Sequence, residues 1–224
     1  MKGVHIKLGR LFLCLMIVFT NHFQFFRINT VRNCSVFHIF YALFKVKPAH
    51  LAELFFLYLE FFCFSVHPQQ VYIADLIEAE AAHWNLLTEK YARMMESTAP
   101  ERYAELADML PKRSKERIQM QEEMIARQIR WEEDFAAKFP GVASTGRVIH
   151  TSEDTPWDTS IETYARGEIS TYSDRTVGLL KKLYDQMAID QENLSEKTLR
   201  NMTALYGYES LEEAEKQQRA RLER

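Results

Sequence analysis

The chain has 224 residues, 47% of them hydrophobic and 26% charged, with a formal net charge of −3 and three cysteines. That length fits one domain, or one domain with an appendage, and is enough to bury a core. The balance excludes collagen-like and disordered chains, and so few cysteines exclude a disulfide scaffold. A charge near zero argues against a dedicated nucleic-acid binder, so no nucleic-acid partner is expected.

The averages conceal two different segments. Residues 1–70 hold seven Lys/Arg and two Asp/Glu, net +5, whereas residues 71–224 hold 21 and 29, net −8. Thirteen of the 15 Phe and all three cysteines (Cys14, Cys34, Cys63) fall in the first segment. Its apolar runs, Leu11–Phe19, Val36–Phe44 and Leu51–Val66, are shorter than the roughly 20 residues of a membrane-spanning helix. The third also carries Glu53 and Glu60, each costly at a bilayer centre. Lys2, Lys7 and Arg10 ahead of Leu11–Phe19 imitate a signal peptide, but no small-x-small cleavage site follows. Phe, Leu, Ile, Asn and His crowd together without period and with few acids. This Phe-rich apolar segment, 1–70, reads as an unselected stretch such as a mis-start or frame shift. A membrane-associated region, confined to residues 1–66, and an ordinary packed N-terminal helical segment are the alternatives.

The second segment is written in Ala, Glu, Lys, Arg and Met, residues that favour helices. Tyr72, Leu76, Ala79, His83/Trp84, Leu87, Tyr91 and Met94/Met95 recur every three or four residues, which predicts one long helix over Tyr72–Ser97. Thr98-Ala99-Pro100 ends it, and Pro100 opens a short helix that Pro111 breaks near Leu110. Met120, Met124, Trp131, Phe135 and Phe139, widened by Ile118, Ile125 and Ile129, predict a helix over Arg113–Phe139, stopped by Pro140-Gly141. Val142–Trp157 has no period and reads as a long loop, of a length usually functional or disordered. Helices then follow from Asp158 or Thr159 to Thr171, from Ser173 or Asp174 to Ile189, and from a Ser195 cap to Gly207, a C′ glycine. Ser210 with Glu213 makes a capping box for a terminal helix. The fold expected is all-α, an irregular bundle of six or seven helices.

Chemistry concentrates in the long loop and the helix after it. His150, Glu153, Asp154, Asp158, Glu162 and Arg166 are the catalytic candidates; Asp158 and Glu162 share a helical face four residues apart. Two carboxylates beside a histidine suit acid/base work or a divalent cation, while Arg147 and Arg166 suit an anion. The ordinary reading makes the acids helix caps, Glu162 and Arg166 a surface ion pair, and His150 a lone loop histidine. Asn85, Glu89, Lys90 and Arg93, with Arg147 and Tyr164, are the ligand-binding candidates; the ordinary reading makes the helix 85–95 group a solvated face beside a Met/Leu stripe. No metal motif, glycine-rich phosphate loop or Gly-x-Ser-x-Gly is present, and no cofactor is specified.

Several ordered blocks carry a likeness: Asn85–Met95 (NLLTEKYARMM), His150–Asp158 (HTSEDTPWD), Thr159–Glu168 (TSIETYARGE), Thr171-Tyr172-Ser173 and Tyr206–Glu215, with Tyr72-x-x-Asp75-Leu76 ahead of them. Residues of about 71–224 resemble a bacterial and archaeal family known as the domain of unknown function 4125. That resemblance confers no activity. The family places a further block before Tyr-x-x-Asp-Leu, and residues 1–70 do not resemble it. Gly-Arg also tends to stand there where this chain has His83-Trp84. The chain thus resembles the later two-thirds of a family domain behind an unrelated start. Loss of the earlier block would expose apolar faces such as the Trp131, Phe135 and Phe139 stripe.

The expected function is a soluble, cytoplasmic helical protein acting as a binding or accessory module, for which a protein partner is plausible. An enzyme built from the 147–168 loop and helix with the 85–95 helix is the first alternative. A membrane-anchored protein with a cytosolic helical domain is the second.

Overall fold

The computed structural model describes residues 66–223, so the readings attached to residues 1–65 lie outside the described residues. Among the described residues the fold is all-α, with no strand. Its helices are α1 Val66–Ala81, α2 Leu86–Thr98, α3 Pro100–Leu106, α4 Lys115–Lys138, α5 Pro140–Ala143, α6 Ile161–Thr171, α7 Asp174–Ile189, α8 Leu194–Leu205 and α9 Leu211–Leu222. Short 3₁₀ turns lie at Ala107–Met109 and Thr151–Glu153. No helix among these residues is long and apolar enough to cross a membrane.

The count exceeds six or seven for two local reasons. Pro140, read as a helix stop, opens a one-turn helix, α5, that runs into the stretch read as loop. The helix expected over Tyr72–Ser97 is two helices, broken at residues 82–85. His83 adopts the left-handed conformation, φ 55°, Trp84 N donates to the Ala79 carbonyl at 2.9 Å, and Asn85 caps α2 by accepting from Thr88 N at 2.9 Å. Glycine is the residue that takes this conformation without a Cβ penalty.

Serine caps fix the other starts: Ser114, Ser160, Ser173 and Ser210 each accept a backbone N–H from three residues on. α8 departs from expectation, because Asn193 caps it by accepting from Glu196 N at 3.0 Å. Ser195 is thereby released for another bond. Gly207 ends this region at φ 80°, as its C′ reading requires.

α4 runs through the centre. Met124, Ile125, Ile129 and Trp131 are buried with Tyr72 and Leu76 of α1, Ile169 of α6 and Val177, Leu180 and Tyr184 of α7. Trp131 meets Tyr184 edge-on at 5.2 Å between centroids, and Tyr72 meets Tyr172 at 5.0 Å. Phe135 and Phe139 form a second buried cluster with Leu211 of α9. The expected exposure of Trp131, Phe135 and Phe139 is therefore corrected: α7 and α9 supply the apolar partners. Ile118 is the member of the expected stripe that faces solvent.

Charged side chains of one helix close the termini of another. Arg117 Nη2 donates to the carbonyls of Ile169 at 3.0 Å and Tyr172 at 3.2 Å, and Arg113 Nε donates to that of Ser170 at 3.0 Å. Two α4-side arginines four apart thus satisfy carbonyls that α6 leaves open. Buried Asp75 of α1 accepts from Ser173 N at 3.0 Å and Thr176 Oγ1 at 2.5 Å, at the start of α7. Glu215 of α9 accepts from Gly141 N at 3.0 Å and Val142 N at 2.8 Å, at the start of α5.

α2 and α6 approach to backbone contact at Gly167. A Cβ added at Gly167 would lie 2.7 Å from Met94 Cγ and 3.1 Å from the Lys90 carbonyl oxygen. Gly167→Ala is expected to destabilise the chain by about 1–3 kcal/mol, since the clash falls on Met94 Cγ, near the root of its side chain, and on the Lys90 backbone. His83→Gly is expected to stabilise it by about 0.5–1 kcal/mol through relief of the left-handed strain. Urea unfolding of both variants checks the pair of opposite signs.

Candidate functional site

The α2–α6 contact buries charge. Glu89 and Lys90 are 2% and 3% exposed, so the solvated-face reading of these two residues is corrected. Lys90 Nζ makes an ion pair with Glu168 and lies 3.7 Å from the centroid of the Tyr164 ring. Burial works to lower the Lys90 pKa, but the Glu168 carboxylate outweighs it and holds the ammonium above its ordinary value. Glu89 accepts from Trp84 Nε1 at 2.5 Å and Arg93 Nε at 2.9 Å, with Arg113 Nη2 at 3.5 Å. Arg93 also donates to the Pro111 carbonyl at 2.7 Å. Asn85 is the exposed cap of α2.

The long segment is ordered by its own polar residues. Asp154 accepts from Ser97 Oγ of α2 at 2.5 Å, Thr163 Oγ1 at 2.6 Å and Ser160 N at 2.6 Å. Burial works to raise this carboxyl, but those hydrogen bonds prevail and hold it below the usual range. Ile161 N and Glu162 N bond back to the carbonyls of Val148 and Ile149, at 2.9 and 3.0 Å. Arg166 lies in a fork on Glu122, Nε at 2.9 Å and Nη2 at 2.9 Å, and reaches Glu162 at 2.8 Å and Thr151 Oγ1 at 3.1 Å. His150 Nε2 lies 3.2 Å from Glu133. Glu153 and Asp158 are exposed, as is Trp157 at 89%. Asp154, Glu162 and Arg166 are therefore brought together around Thr151 and Thr163, whereas His150, Glu153 and Asp158 stand apart from them. Among the described residues no three His, Cys, Asp or Glu side chains converge to hold a metal ion.

Beside this network lies a cavity of about 790 Å³, walled by α2, α4, α5 and its following loop, α6, α8 and α9. Met94, Met95, Ile149, Ile161, Leu199 and Met202 make most of its surface apolar. Of the sequence candidates, Arg147 and Tyr164 line it; Glu89, Lys90 and Arg93 do not. Arg147 packs over the Tyr164 ring, 5.2 Å from its centroid, and its Nη1 donates to the Thr159 carbonyl at 3.0 Å. Glu132 is the other charged residue of the described wall. Its carboxylate accepts from Ser195 Oγ at 2.7 Å. Burial pushes this carboxyl above the ordinary range, against the Ser195 bond that favours the charged form. Thr198 Oγ1 is buried on the same wall without a hydrogen-bond partner among the described residues.

Sequence reasoning missed Glu132, Ser195 and Thr198. The signal for Glu132 was available: Gln128, Glu132 and Ala136 step by four beside the Ile125, Ile129 and Phe135 stripe, an angular position that faces inward. Ser195 was masked by its reading as a cap.

The chain matches the model of a family described as "Protein of unknown function (DUF4125)" over residues 58–216, and it belongs to that family. The match begins before residue 71, where the likeness read from separate motifs starts. No curated protein and no solved structure matches the chain.

The Glu132 carboxyl carries a pH signature. With its pKa raised in the folded state, its contribution to stability is full below the unfolded value near 4.5 and is lost as pH rises through the folded value. Glu132→Gln keeps an acceptor for Ser195 and removes the buried charge. It is expected to raise the urea midpoint relative to the parent chain at about pH 8, with the gain vanishing at about pH 4.

Proposed function

We propose that this protein is a small-molecule-binding module whose ligand occupies the cavity between α2, α4, α6, α8 and α9. The observation that carries the reading is the cavity itself. About 790 Å³ lies within the range of roughly 300–1,000 Å³ typical of small-molecule sites. A largely apolar wall bearing a few fixed polar groups is the usual chemistry of such sites, and here those groups are Arg147, Glu132 with Ser195, and Thr198. The module is proposed to act in the cytoplasm.

An enzymatic role has one specific observation in its favour. A carboxyl held above its ordinary range on a cavity wall is what a general acid requires, and Glu132 is placed so. The polar groups of the 147–168 and 85–95 segments, by contrast, are largely engaged by other protein groups.

The binding reading is tested with the neutral fluorescent probe N-phenyl-1-naphthylamine. A saturable rise in its emission is expected with the parent chain. Thr198→Trp, which places an indole in the cavity, is expected to weaken binding at least about tenfold, equivalent to about 1.4 kcal/mol. Absence of saturable binding, or equal binding by the Trp variant, counts against the reading.

A further inference from the structure

Resting on the cavity-binding reading, we propose that the ligand is a monoanionic amphiphile, a carboxylic acid with an apolar body, whose carboxylate is held by Arg147. The argument begins with charge around one ring. Tyr164 has two cations over it, Lys90 Nζ at 3.7 Å and the Arg147 guanidinium carbon at 5.2 Å from its centroid. Glu168 answers the charge of Lys90. Arg147 has no acidic side chain within 4.0 Å among the described residues. A guanidinium has five N–H donors, and among the described residues one of them is engaged, by the Thr159 carbonyl.

Arg147 is half-buried and lines the cavity. An unanswered charge in such a place favours an anion, because its attraction is little screened there. The guanidinium fork fits a carboxylate with two parallel hydrogen bonds. The stack on Tyr164 and the bond to Thr159 hold the fork before a ligand arrives, which lowers the ordering cost of binding.

The rest of the wall sets the body of the ligand and the limit on its charge. Met94, Met95 and Met202 offer an unbranched, adaptable surface, suited to flexible apolar chains as well as rigid shapes. The second cation at Tyr164 is already neutralised by Glu168, so a phosphate dianion would lack a partner for its second charge. Glu132, the other charged residue of the described wall, is engaged by Ser195 Oγ at 2.7 Å and makes no ion pair with Arg147. Thr198 Oγ1, buried and without a hydrogen-bond partner among the described residues, gives a polar atom of the ligand a place on the α8 wall.

The test uses the 224-residue chain and displacement of N-phenyl-1-naphthylamine by decanoate, decanol, decylamine and decyl phosphate. Decanoate is expected to displace the probe at a concentration at least about tenfold below that of decanol, with decylamine weakest. Arg147→Gln should erase the preference for decanoate over decanol, and Arg147→Lys should keep part of it. Equal or better displacement by decanol or by decyl phosphate in the parent chain overturns the carboxylate assignment while leaving the cavity reading intact. That comparison needs no variant, so it stands whether or not the Arg147 variants fold. A decanoate preference unchanged in folded Arg147→Gln also overturns the assignment. Failure of the probe to bind, or undiminished binding by Thr198→Trp, overturns the cavity reading and this assignment with it.

Discussion

The arrangement turns on one buried lysine. Lys90 sits between α2 and α6 with Glu168 as its counter-charge and the Tyr164 ring against it. A buried ammonium is tolerated where it is paired; removal of one partner of such a pair typically costs about 3–5 kcal/mol. The pair can form only because α2 and α6 approach to backbone contact, and Gly167 permits that approach. The same approach orients Tyr164, whose ring then carries Arg147 beside the cavity. Tyr91, Met94, Met95 and Thr98 follow Lys90 at helical spacing and form the α2 part of the wall. Glycine, lysine, tyrosine and cavity are thus one packing problem with one solution.

The remaining helices are joined by charged or polar groups placed on helix ends. Arg117 and Arg113 close α6, Asp75 opens α7, and Glu215 opens α5. Each such bond satisfies a backbone group that would otherwise be orphaned and also fixes one helix relative to another. This matters for short elements, since helices of 4, 7 and 11 residues such as α5, α3 and α6 are too short to persist alone in water. The segment between α5 and α6 is held in the same way: Asp154 joins α2, the loop and the start of α6 through three hydrogen bonds.

Much of this fold is legible in the sequence, and the exceptions have physical causes. Pro100, Ser173, Gly207 and Ser210 mark boundaries that the structure keeps, because each acts through its immediate neighbours. The break after α1 escaped because the left-handed position carries histidine where glycine would have announced it. Asn193 and Ser195 both have capping chemistry, and two residues of separation defeat a choice from pattern alone. Glu89 and Lys90 look like surface residues because helical periodicity records angle and not depth. Their burial depends on Glu168, 78 positions from Lys90 in the chain, and on a glycine whose role appears only when two helices meet. The cavity is less legible still, being a property of what six elements fail to fill.

Arg147 and Arg166 make the point in a single comparison. Both come from the same stretch, both are half-buried, and both read equally well from sequence as anion clamps. Arg166 meets Glu122 in a bidentate fork and Glu162 one helical turn away, so its charge is spent within the fold and its geometry is fixed by protein. Arg147 meets a carbonyl and an aromatic face, partners that orient a guanidinium without neutralising it. An ion pair and a cation–π contact differ in this respect: the first cancels the long-range field of the cation, whereas the second leaves most of it available to whatever shares the cavity. The same residue type thus becomes scaffold in one place and a candidate recognition group in the other, and the difference lies in the supply of carboxylates around it.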